Sequence, residues 1–218
     1  MIKEALQYII GLQQPRIEEI GGKNYYFHNG NIPMLVDGCR DCEAVQLSTL
    51  TSLVDYIKNR MADDFPDGTT KMIVHVASET EVSLLTQFNG DMKRLEVISV
   101  KARVPAITLN KFIEQEAFII QMQSMFLDTP DKAIVMQVSG NVEDVIVPNP
   151  VRLQPFRTFH EVGQQEIDFV FRMKNSSNGV ACALFEADGG AWKFRAVHEI
   201  AEYLKDKLAD VENIAILS

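Results

Sequence analysis

The stretch DFVFRMKNSSNGVACALFEADGGAWKF, residues 168–194, constrains this chain more than any other. DFVFRMK and VACALFEA are runs of strand-forming residues, and Asn175 to Gly179 between them is turn chemistry. They read as an antiparallel hairpin. Asp188, Gly189 and Gly190 follow, and apolar residues then recur at helical spacing from about Ala191 to Leu208. A strand therefore becomes a helix within a few residues.

The rest of the chain reads the same way. Ile2, Ala5, Leu6, Ile9 and Ile10 predict a helix over 2–13 that Pro15 ends. RIEEI and KNYYF predict two strands across Gly21-Gly22, and residues 29–40 read as loop. Glu43 to Leu47 predicts a short strand. Ser48 and Thr49 offer N-caps to a helix ending near Met61, with Leu50, Leu53, Val54 and Ile57 on one face. KMIVHVA, residues 71–77, has a buried-strand pattern, and Ser78 with Glu81 matches a capping box, which predicts a helix over SETEVSLLTQF. Residues 94–104 predict a strand stopped by Pro105, and residues 108–127 a helix closed off by Pro130. AIVMQVSGNVEDVIV, residues 133–147, predicts two strands around Gly140-Asn141, and PNPVRLQPFRTF is extended. Local β pairs interspersed with isolated helices specify an α+β fold, a mainly antiparallel sheet packed with four to five helices.

With 218 residues and 46% hydrophobic content, one domain over residues 1–218 is expected, residues 1–40 packing as an arm. The net charge of -9 repels phosphate backbones, so no direct nucleic-acid binding is expected. The basic groups that stand against that average are Lys93 to Arg103 and the set Arg152, Arg157, Arg172. Three cysteines, Cys39, Cys42 and Cys182, point to a reducing compartment. The opening apolar stretch is too short to export the chain or span a membrane, so the expected location is cytoplasm. Cys39 and Cys42 form one CxxC, half of a zinc site, and are expected to be plain thiols. No metal and no cofactor are expected.

Glu186 and Asp188 lie two apart at a strand end, so both carboxylates can face one site. They allow either metal or acid–base work, or a simpler arrangement in which Asp188 caps the following helix and Gly189-Gly190 supply the bend. The second is expected. Trp192, the sole tryptophan, either packs the helix on the sheet or offers a stacking platform, with Lys193 and Arg195 near a phosphate. His160, beside Glu161, is the best acid–base candidate; His75 reads as a strand-face or core histidine. Neither a phosphate-binding glycine loop nor a nucleophile elbow is present. The helix over 108–127 is apolar nearly all round, which points to deep burial or a homo-oligomer.

VPNPVRLQPFRTFHEVGQQEIDFVFRMK, residues 147–174, and ALFEADGGAWKFRAVHEIAEYL, residues 183–204, resemble the YfdQ-like phage and prophage proteins, a family of unknown function. The opening MIKEALQYIIGLQQPRIEEIGGKNYYF is similar to phage-borne members as well. The resemblance implies a phage-encoded protein of the host cytoplasm and carries over no activity and no site residues. The reading that follows is an accessory protein acting by binding, one that counters defence by sequestering a small nucleotide signal or a host factor. Its ligand-binding candidates are Arg152, Arg157, His160, Glu186, Asp188, Trp192 and Lys193. The rivals are a protein partner in phage DNA recombination or replication, and a metal-assisted hydrolase using Glu186, Asp188 and His160.

Overall fold

The computed structural model describes residues 16–20, 23–27, 34–35, 43–65, 71–88, 92–140, 147–177 and 179–218. The helix expected over 2–13, the Gly21-Gly22 turn, His28, Cys39 and Cys42 lie outside these residues. Strands β1 (Arg16–Ile20) and β2 (Lys23–Phe27) pair antiparallel as the sequence predicts. β3 (Met34–Leu35) adds to β2, where the sequence reads as loop.

Next come β4 (Val45–Leu47), helices α1 (Leu50–Asn59) and α2 (Met61–Asp64), then β5 (Met72–Val76), β6 (Glu81–Thr86) and β7 (Glu96–Lys101). β8 (Ile113–Glu114) precedes helices α3 (Gln115–Met125) and α4 (Pro130–Gly140). β9 (Val151–Leu153), β10 (Ile167–Ser176) and β11 (Gly179–Glu186) lead into α5 (Ala191–Lys207), and β12 (Ile214–Leu217) closes the order. The fold is α+β. One sheet has the order β12-β5-β6-β7-β4 and another β8-β11-β10-β9. Of the nine strand pairs among the described residues, β12 with β5 and β4 with β7 are parallel, and the other seven are antiparallel.

The five-stranded and four-stranded sheets each have their own core. Thr49 caps α1 by accepting from Ser52 N, and the buried face Leu50, Leu53, Val54, Ile57 packs on Val74, Val82, Leu84 and Ile98 of the five-stranded sheet. In the other core, Phe118 and Met122 of α3 and Val135 of α4 cover Phe169, Phe171 and Leu184. Helix α5 belongs to both. Trp192 and Ala196 enter the core of the four-stranded sheet, whereas Ile200, Ala201 and Leu204 enter that of the five-stranded sheet. Among the described residues no helix is long and apolar enough to cross a membrane.

Three predicted elements differ. SETEVSLLTQF is strand β6 rather than a helix. Val82, Leu84 and Thr86 are buried at a period of two, and Ala77 N and Ser78 N both donate to Glu81 O, closing a turn instead of opening a helix. The 133–140 segment is helix α4 rather than a strand. Lys132, Val135, Val138 and Ser139 are buried at helical spacing, Pro130 occupies the first turn, and Thr129 Oγ1 accepts from Lys132 N. Pro130 thus starts a helix as well as following one. The long helix over 108–127 begins only at Gln115, because Ile113 and Glu114 pair with Cys182 and Ala181, and the Gln121 side chain holds the backbone N–H and C=O of Thr108. Phe118, Gln121 and Met122 face inward, so most of the apolar character of α3 is used within the chain; Ile120 remains 55% exposed.

Candidate functional site

The site candidates converge where β9, β10 and β11 meet the first turn of α5. In β10, Ile167, Phe169 and Phe171 alternate inward and leave Asp168 on the outer face. The β9–β10 register sets Arg152 opposite Asp168, and Arg152 Nε lies 3.2 Å from Asp168 Oδ1. Asp131 Oδ2 accepts from Arg152 N at 2.7 Å, which fixes the backbone of that arginine.

The ADGG corner behaves as architecture. Asp188 Oδ1 accepts from Gly190 N at 3.0 Å and Asp188 Oδ2 from Trp192 N at 2.9 Å. Its negative charge thereby sits on the amides that open α5, where the helix dipole favours it. Gly189 and Gly190 have φ of 64° and 81°, the left-handed region that makes glycine the fitting residue at both. Glu186 turns the other way. Its Oε1 accepts from Arg157 Nη1 at 2.6 Å. The two carboxylates therefore do not converge.

Arg157 is nearly enclosed. Its guanidinium carbon lies 4.8 Å from the centre of the Trp192 ring and 5.4 Å from that of Phe169. Trp192 is only 5% exposed, so it packs the helix on the sheet and its face is covered by a guanidinium. Lys193 reaches back to Glu79 in the β5–β6 turn at 3.1 Å, and Thr158 Oγ1 donates to Glu79 O at 2.6 Å. This network ties the corner of one sheet to a turn of the other.

Beside it opens a polar cleft of about 260 Å³ lined by Arg152, Glu166, Ile167, Asp168, Asp188 and Arg195. Arg152 and Arg195 have side chains 70% and 52% exposed. Arg195 approaches Asp188 only to 3.8 Å and the Glu166 carbonyl to 3.5 Å, so most of its donors remain open to the cleft.

The seven predicted candidates thus divide. Arg152 and Asp188 line the cleft; Arg157, Glu186, Trp192 and Lys193 form the adjoining network; His160 is exposed on the 158–162 turn with its ring centre 6.4 Å from that of Phe156. Sequence reasoning missed Asp168, Glu166 and Glu79. The alternation in IDFVF places Asp168 outward, but its facing of Arg152 needed the β9–β10 register. Among the described residues no group of three or more His, Cys, Asp and Glu side chains is placed to hold a metal ion. His75 is exposed on its strand, and Arg172 donates to the Phe171 carbonyl. Burial pushes the Cys182 thiol above its ordinary pKa, which disfavours the reactive thiolate. No protein-family model matches the chain, and neither the curated proteins nor the solved structures give a match.

Proposed function

We propose that this chain is a phage-borne accessory protein that acts by binding a small nucleotide in the cleft between Arg152 and Arg195. The observation that carries the reading is the pair of largely exposed guanidiniums on one polar cleft, Arg152 held by one contact at 3.2 Å to Asp168 and Arg195 only by contacts of 3.8 and 3.5 Å to Asp188 and the Glu166 carbonyl. Guanidinium donors suit phosphate oxygens. Glu166 and Asp168 on the same cleft offer acceptors for the amino groups of a base. The hydrolase reading loses its ligand set, since Glu186 is held by Arg157, Asp188 by the α5 amides, and His160 lies on a separate turn. The phage setting is supported by the sequence phrases of residues 147–174 and 183–204.

Calorimetry with a panel of mononucleotides and cyclic dinucleotides tests the reading. One member of the panel is expected to bind, and Arg152→Ala or Arg195→Ala to weaken it by about 10- to 100-fold, the loss of one charge-assisted contact of roughly 1.5–3 kcal/mol. No heat across the panel, or full binding by both variants, ends it.

A further inference from the structure

At one end of the five-stranded sheet β5 and β12 begin side by side and β6 ends, with Met72 opposite both Ile214 and Thr86. A cavity of about 390 Å³ opens there. Ile73, Ile214 and Ala215 give it apolar walls, and its charged lining residues are Lys71 and Arg94, with no carboxylate in the lining. That runs against the balance of the chain, which holds 30 acidic and 21 basic residues. Among the described residues neither of these cations forms an ion pair, whereas Arg152, Arg157, Lys193 and Arg195 each do. Two cations that share a wall without counter-charge repel each other, and an anion between them relieves the repulsion.

Arg94 is held in place before any ligand arrives. Its Nη1 donates to the Thr86 carbonyl at 2.9 Å, and its guanidinium carbon lies 4.0 Å from the centre of the Phe88 ring. Thr86 is itself pinned across the β6–β7 turn, since its N donates to Leu95 O at 3.0 Å and its Oγ1 accepts from Leu95 N at 3.1 Å. The fork is thus fixed by one nitrogen and has further N–H groups to give. The backbone adds little. Met72 N already donates to Asn213 O at 2.9 Å, and Gln87 N to Lys71 O at 3.1 Å. The donors left on the lining are the Lys71 ammonium, the remaining side of the Arg94 fork and the Gln87 side-chain amide.

We propose that this cavity binds a small organic carboxylate, its charge held by Lys71 and Arg94 and its hydrocarbon body laid against Ile73, Ile214 and Ala215. Two cations and one amide match the two oxygens of a carboxylate. A phosphate carries more acceptors and is usually met by a nest of free backbone amides or a helix N-terminus, whereas strands wall this cavity and the Met72 and Gln87 amides are already engaged. The apolar walls ask for a carbon body, and small-molecule pockets run from about 300 Å³ upward. The site is separate from the nucleotide cleft, since the two share no lining residue.

The test titrates the full chain with hexanoate and phenylacetate by calorimetry. Hexanol supplies the same body without the charge, and hexyl phosphate the same body with a phosphate. At least one of the two carboxylates is expected to bind, and hexanol is expected not to. Lys71→Gln and Arg94→Gln are each expected to weaken that binding about tenfold, the loss of one charge-assisted contact. Lys71 is exposed, so its variant keeps the fold, and dichroism confirms this for both. Ala215→Phe, an exposed change that fills the apolar wall and leaves both cations, is expected to abolish binding. No binding of either carboxylate overturns the proposal. So does an unchanged affinity in Ala215→Phe, since that is attraction of an anion to surface charge. Equal binding of hexanol removes the role of the cations, and tenfold tighter binding of hexyl phosphate gives the cavity to a phosphate ester; either result also overturns it.

Discussion

At the scale of single residues, what could be read ahead was what acts locally. Asp188 stands two residues before the amide of Gly190 and four before that of Trp192, so its capping role needs no knowledge of the rest of the chain. Glu186 depends on Arg157, twenty-nine positions away, and no pattern in the sequence pairs the two. The same holds for Arg152 and Asp168, whose opposition is a consequence of strand register. The capping role carries a prediction. Asp188→Ala removes an acceptor that serves two amides in a nearly buried place, and should lower the unfolding free energy by about 1–2 kcal/mol. Denaturant titration measures this, with Asp188→Asn expected to retain about half or less, because it keeps one of the two acceptor oxygens and loses the charge. Equal losses from the two variants would show that the charge carries the whole effect and a neutral acceptor oxygen none of it.

At the scale of elements, hairpins were legible and long-range pairings were not. β10 and β11 pair from Phe169 with Glu186 to Ser176 with Gly179 around a turn that composition already marks. Two of the failures came from short apolar runs in which helix and strand signals overlap. In EVSLLT the buried set 82, 84, 86 decides for a strand, while a Ser–Glu spacing argued for a helix. In PDKAIVMQVSG the β-branched residues argued for a strand, while burial of Val135 and Val138 decides for a helix. β12 went unseen because its partner β5 lies some 140 residues earlier, and a parallel pairing of that kind leaves no turn signal. Ile214 and Ile216 pack against the core next to Met72 and Val74. Deleting residues 214–218 should therefore lower the unfolding free energy by about 2–3 kcal/mol, the burial of two half-covered isoleucines. Thermal melts of the truncated chain check this; an unchanged midpoint would make β12 an ornament on the sheet edge.

At the scale of the whole molecule, two sheets with separate cores share one seventeen-residue helix. The sequence gives no sign of that sharing, because α5 reads as a single amphipathic stripe whichever surface it covers. The consequence concerns cooperativity. If α5 couples the cores, damage in one must be felt in the other, since loosening Ile200 and Leu204 also loosens Trp192 and Ala196. The sole tryptophan makes this measurable, for Trp192 reports on the core of the four-stranded sheet alone. Leu84 lies fully buried in the opposite core, and Leu84→Ala should cost about 2–5 kcal/mol through lost contacts and the space left behind. Urea unfolding followed by tryptophan emission and by far-ultraviolet dichroism should then give one shared midpoint, displaced equally by the substitution. A tryptophan transition that stays in place while the dichroism splits into two steps would show that the cores unfold independently. The links across the Lys193–Glu79 pair and the Thr158–Glu79 hydrogen bond argue for the shared transition, because they join the same two units at a second place.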